Sequence, residues 1–227
     1  MGGRREEILD AALAIADERG LDGVSMRAVA ERVGVTPMAL YRHVSGKAEL
    51  LDAMVGHLLS ALLPPDAGPD QGPAQRWEEG LAALARGFRA MVLRHPWAAP
   101  LLFSRPAVTP DAARAVDAIY TALTEAGVPD REVPRLERLI TTFVIGFVAS
   151  EVSGRFTSGS LDPRGRRGRL PEGDLPGHAR IKPWLHLPDD LAIEFEADLD
   201  DIMRLIEAAV HPRTDSESGS STPDSSA

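Results

Sequence analysis

The sequence predicts an all-α protein, with a three-helix unit at the N-terminus and a larger all-helical part behind it. Three observations lead there. Almost every long segment repeats its apolar residues at spacings of three and four. No stretch of useful length alternates as a strand would. Glycine, proline and hydroxyl caps punctuate the chain at helix-length intervals.

The first helix is expected from about Arg4 to Arg19, with Ile8, Leu9, Ala12, Leu13 and Ala16 on one stripe and Gly20 as its stop. Ser25 caps a second helix carrying Val29 and Val33, and Gly34 ends it. Thr36 then offers a cap for a short third helix of about seven residues. Pro37 takes its first position, where a missing N–H costs nothing. The Ser45-Gly46 pair breaks the chain, and a fourth helix runs to about Leu63 before Pro64 and Pro65.

Residues 64–75, rich in Pro, Gly and Asp, form a linker. Trp77, Leu81, Leu84, Phe88 and Met91 then follow at spacings of four, three, four and three, an amphipathic helix closed by Pro96. A short apolar piece spans Trp97 to Phe103. Thr109-Pro110 repeats the cap-plus-proline start for a helix carrying Val116, Ile119, Tyr120 and Leu123. The segment 131–152 is apolar on more than one face, which predicts burial in a core or against a partner. Residues 154–186, with the run Arg164–Arg167, read as a mobile loop. A striped helix occupies about 189–210, and the polar end 211–227 reads as a disordered tail. The expected organisation is therefore 1–63, a linker at 64–75, and a helical domain over 76–210.

Composition excludes several classes. The 227 residues contain no cysteine, so thiol nucleophiles, thiolate metal sites and disulfides are absent. No run of eighteen apolar residues exists to span a membrane, and the N-terminal Arg-Arg-Glu-Glu is unlike a signal peptide. The expectation is a cytoplasmic protein. A net charge of −9 argues against diffuse nucleic-acid binding but not against one local basic face.

Such a face exists. Residues 1–60 hold seven Arg or Lys against nine Asp or Glu, whereas 25–47 hold Arg27, Arg32, Arg42 and Lys47 against Glu31 alone. Three short helices with a glycine turn between the second and third describe a helix-turn-helix. Its third helix is expected to be held by Val29, Val33, Val35, Leu40 and Val44, with Thr36, Pro37, Met38, Ala39, Tyr41, Arg42 and His43 on the face left over.

The stretch from Ile8 to Leu51, above all GLDGVSMRAVAERVGVTPMALYRHVSGKAELLDAM, resembles the DNA-binding domain of the tetracycline-repressor (TetR) family of transcriptional regulators. The resemblance implies a homodimer that sets each third helix in the major groove of a palindromic operator. By position, it implies that Arg27 contacts phosphate or a base at the groove edge and that Thr36, Pro37, Met38 and Ala39 face base edges. Tyr41 and His43 would touch phosphates, and Lys47 would clamp the backbone. Arg42 is either a phosphate contact or a bidentate guanine reader. Packing against the first helix is the alternative for Tyr41.

For the larger part, the resemblance implies an effector pocket. The candidates for its lining are Leu84, Phe88, Met91, Trp97, Leu101, Phe103, Ile119, Tyr120, Phe143 and Phe147. The helices near 131–152 and 189–210 would pair the subunits, with Gly146 permitting close approach. Trp77, Phe88 and His95, with FSRP at 103–106, are similar to the tetracycline-binding members. Yet Leu63, Leu84 and Ile119 fall where those members have polar drug contacts, and Leu101 falls on a magnesium position, with Ser150 on the other. A leucine offers no oxygen to Mg²⁺. The expectation is a pocket without metal or cofactor and a mostly apolar effector. Two rivals remain: a small-molecule carrier without DNA function, and an enzyme using His43, His57, His95 or His186. No HExxH, phosphate loop or nucleophile elbow supports the latter.

Overall fold

The computed structural model describes residues 3–63, 76–105, 107–156, 176–184 and 190–210, and every regular element among them is helical. The predicted linker, most of the predicted loop with Arg164–Arg167, and the predicted tail lie outside the described residues.

The N-terminal helix α1 (Arg4–Gly23) buries Ile8, Ala11, Ala12, Ile15 and Ala16. It runs past the expected stop. Gly20 leaves the helical path (φ 71°, ψ 179°), and the chain resumes helical turns to Gly23. In α2 (Met26–Val33) the Ser25 hydroxyl accepts from the Ala28 N–H at 3.1 Å. Its C-terminus closes on Gly34 in the left-handed region (φ 74°, ψ 34°), with the Val35 N–H bonded to the Ala30 carbonyl at 2.9 Å. That six-residue closure needs a residue tolerant of positive φ, which is why glycine stands there.

Helix α3 is shorter than its sequence suggests. It spans Pro37–Leu40, with Thr36 accepting from the Ala39 N–H. The seven-residue rod is one turn of α-helix followed by tighter turns, in which the Arg42 and His43 N–H groups reach back only three residues. This tightening brings Val44 into the core beside Leu40. Val29, Leu40 and Val44 are buried as expected, while Val33 and Val35 are only partly covered.

Helix α4 (Lys47–Ser60) belongs to two cores. Leu50 and Met54 complete the N-terminal cluster with Ile8, Ile15, Val29 and Leu40. Val55 and Leu58, on its far half, enter the larger cluster. That cluster is built by α5 (Trp77–Arg94), α6 (Ala98–Ser104), α7 (Pro110–Glu125), α8 (Val133–Val152) and, after α9 (Pro176–Ile181), by α10 (Leu191–Val210). The α9 helix and the 3₁₀ turn Lys182–Trp184 fall inside the stretch expected to be loop. Asp190 caps α10 by accepting from the Ala192 and Ile193 N–H groups. Arg89 and Glu151 join α5 to α8 in a two-pronged, mostly buried pair (2.5 and 2.8 Å), with the guanidinium 5.4 Å from the Phe195 ring.

Where α4 meets α7 the backbones approach closely. A Cβ on Gly56 would stand 2.3 Å from the Thr109 hydroxyl oxygen, which is already committed as the cap of α7 at the Ala112 N–H. Gly56→Ala should therefore cost about 1–3 kcal/mol, read as a lower urea midpoint. Glu151→Gln strands the Arg89 charge and should cost about 3 kcal/mol by the same measurement.

Candidate nucleic-acid interface and its coupled cavity

The candidate contact residues singled out in the sequence on the N-terminal unit are exposed or half-buried. Thr36, Pro37 and Met38 are exposed, and Ala39 is half-buried with its N–H given to the cap. Met38 is 73% exposed and Tyr41 50% exposed, large apolar surface that the fold leaves uncovered at the tip of α3. Arg42 and His43 follow in the turn, Arg27 sits in the first turn of α2, and Lys47 begins α4. All four side chains are exposed.

Charge is sorted on this head. Arg32, counted in the basic stretch, forms a two-pronged pair with Glu18 of α1 at 2.6 and 2.8 Å, so it fastens α2 to α1 and leaves the available positive face. Arg27, Arg42 and Lys47 make no ion pair among the described residues. The nearby Glu49 turns away from the face. Its carboxylate accepts from the Ser45 N–H and hydroxyl, both at 2.7 Å, and these bonds hold it below the usual carboxylate range. The turn between α3 and α4 is fixed by that bond pair.

Along α4 from this head lies a partly open cavity of about 220 Å³. Val55, Leu59 and Leu62 form its near wall, α5 gives Leu81, Leu84 and Phe88, and α6 gives Leu102. Helix α7 adds Val116 and Ile119, and α8 adds Ile140, Val144 and Ile145. Its polar edge is Arg105, Glu137 and Thr141. Arg105 also ties the cavity to the head. Its guanidinium pairs with Asp52 of α4 and donates to the Ala48 carbonyl at 3.2 Å.

Of the ten apolar residues expected at the pocket, Leu84, Phe88 and Ile119 line it. The others are placed elsewhere. Met91 and Leu101 are closed within the core. Phe143 and Phe147 face α10 in an aromatic cluster with Phe195, at centroid separations of 6.4 and 5.1 Å. Tyr120 is partly buried against the large cluster but outside the lining. Phe103 is 69% exposed, because it falls on the solvent side of the short α6. Trp97 serves the junction between the two clusters: its indole N–H donates to Asp17 of α1 at 2.6 Å, and His95 Nδ1 meets the same oxygen at 2.6 Å. Leu63 also lies outside the lining.

The stripe on α5 did not reveal the residues that α4 and α8 supply. Glu137 carried a signal, a carboxylate one turn before Ile140 and Thr141 on a helix that is apolar on more than one face. Asp52 carried none, since a lone acidic residue on α4 reads as solvated surface. Among the described residues no cluster of three metal-ligating side chains occurs, and no helix is long and apolar enough to cross a membrane.

Known proteins resemble both halves of the chain. Residues 8–54 match the family described as bacterial regulatory proteins, tetR family, and residues 69–167 match the tetracyclin repressor-like C-terminal domain. The HTH-type transcriptional repressor DrrR1 of Streptomyces coeruleorubidus is 35% identical over 147 residues, covering 65% of this chain. The chain spans about half of that relative's length (53%). An HTH-type transcriptional regulator of Saccharopolyspora erythraea is 31% identical over 178 residues, covering 77% of this chain and 73% of that protein. Among solved structures, the Streptomyces coelicolor TetR family protein ActR, crystallised with actinorhodin, superposes with a TM-score of 0.76. It is 26% identical, and the match covers 92% of this chain and 99% of that one. With both halves matched, in the order and over the helices just described, the chain belongs to the TetR family of bacterial regulatory proteins.

Proposed function

We propose that the chain is an effector-responsive transcriptional repressor that binds a palindromic operator as a homodimer and is released by a small, mostly apolar molecule. One observation carries this reading: a single helix, α4, has Lys47 of the basic head at its first residue and Val55 and Leu59 of the cavity wall in its second half. What enters the cavity therefore acts on the element that aims the head.

In this reading Met38 finds its missing cover in a major groove. Thr36, Pro37 and Ala39 lie against base edges there. Tyr41, His43 and Lys47 meet phosphates, Arg27 meets a phosphate or a base at the groove edge, and Arg42 meets either a phosphate or a guanine edge. Two copies present their α3 segments to half-sites about 34–36 Å apart, one turn of the duplex. The subunits meet through α8 and α10, which is supported by the apolar surface left on those helices at Leu139, Ile193 and Leu205. Among the described residues nothing stands within 4 Å of where a Cβ on Gly146 would lie, which supports an open side there. ActR, a relative solved with actinorhodin, supports a small-molecule effector by analogy.

Coupling follows from Arg105. An effector that displaces this cavity side chain pulls on Asp52 and the Ala48 carbonyl, both within the first two turns of α4. A differential of only ~1.4 kcal/mol between the two head spacings changes operator affinity tenfold.

Footprinting on fragments of the source genome should reveal a protected palindrome; protection of none would overturn the repressor reading. Lys47→Ala should weaken binding to all sequences alike and lower the salt slope by about 1, whereas Met38→Ala should change base preference more than the slope. Asp52→Asn should diminish the fold by which a bound effector weakens operator binding, measured by anisotropy with and without the effector.

A further inference from the structure

We infer that the effector carries a positive charge: a compact apolar body with a protonated amine seated against Glu137. The inference rests on the cavity being the effector site and adds to it the chemistry of one wall.

The cavity has two charged residues on its rim, Arg105 and Glu137, and they are not equivalent. The Arg105 charge is matched by Asp52, its partner on α4. Glu137 has no such partner among the described residues. The basic residues nearest it in sequence are engaged or turned elsewhere: Arg135 bonds Glu132 at 2.7 Å, and Arg138 lines a separate groove with Leu139 and Thr142. From α7, which forms the facing wall, Arg114 pairs with Asp111.

The Thr141 hydroxyl stands 2.9 Å from the Glu137 carbonyl oxygen, 3.3 Å from the Glu137 carboxylate and 3.4 Å from the Arg138 carbonyl, and its one proton serves all three. This corner presents a carboxylate with no cationic partner among the described residues, set in a wall of Ile140, Val144 and Ile119. A cation brought to this carboxylate by an apolar body gains a charge-assisted contact while its apolar part leaves water. A neutral ligand leaves the carboxylate unmatched, and an anionic ligand adds a second like charge.

The test uses three probes with one tricyclic body: 9-aminoacridinium, acridine and acridine-9-carboxylate, titrated at neutral pH against the full chain without DNA. The cation should bind at least about tenfold more tightly than neutral acridine, about 1.4 kcal/mol, with the carboxylate weakest. Glu137→Gln should bring the cation down to the affinity of acridine and leave acridine itself little changed, with a melting curve to check the fold. Equal affinities in the wild-type protein, a preference for the carboxylate, or a cation preference that survives Glu137→Gln would each overturn the charge assignment while the cavity reading stands. Should the variant not fold, the order of the three probes on the wild-type protein decides by itself. Binding of none of the three would overturn the cavity reading together with the inference built on it.

Discussion

Helix α4 is a member of two hydrophobic cores at once, and the rest of the architecture depends on that double membership. Leu50 and Met54 seat its first half among Ile8, Val29 and Leu40; Val55 and Leu58 seat its second half in the large cluster. Close packing makes such an element stiff, so it moves as a rod rather than bending between its ends. The absent side chain at Gly56 lets α7 lie directly on it at Thr109. A displacement at the cavity therefore has a short, rigid route to Lys47, and the Arg105–Asp52 pair adds a polar tether beside the apolar one.

Electrostatics divides labour between holding the head together and leaving it exposed. Glu18 takes Arg32, and Ser45 takes Glu49, so two charges that would otherwise blur the surface are spent on fixing α2 and the α3–α4 turn. What remains on the outside is a small cationic set, Arg27, Arg42 and Lys47, on a chain of net charge −9. A protein built this way gains little from undirected contact with polyanions.

Much of this was legible in the residues because the signals were local. Ser25, Thr36 and Thr109 all cap where hydroxyl-plus-spacing arguments put them, and Gly34 takes the left-handed turn that separates α2 from α3. The length of α3 was not legible, since the tightening after Leu40 answers to the burial of Val44, a tertiary demand. The cavity was legible only in outline. A helical stripe identifies a buried face but not whether the face meets side chains or a void, so Met91 and Leu101 looked no different from Leu84 and Phe88. Trp97 was misread for a related reason: its partner, Asp17, stands eighty residues earlier in the chain.

That indole has a further consequence. Trp97 is one of three tryptophans, it packs against both hydrophobic clusters, and its N–H is anchored on the first helix. Trp184, by contrast, stands largely in solvent. Any rotation of the head against the body must stretch or break the Trp97–Asp17 bond and alter the polarity around the ring. The molecule thus carries an intrinsic optical gauge where its two clusters meet, readable in emission colour without attaching a dye.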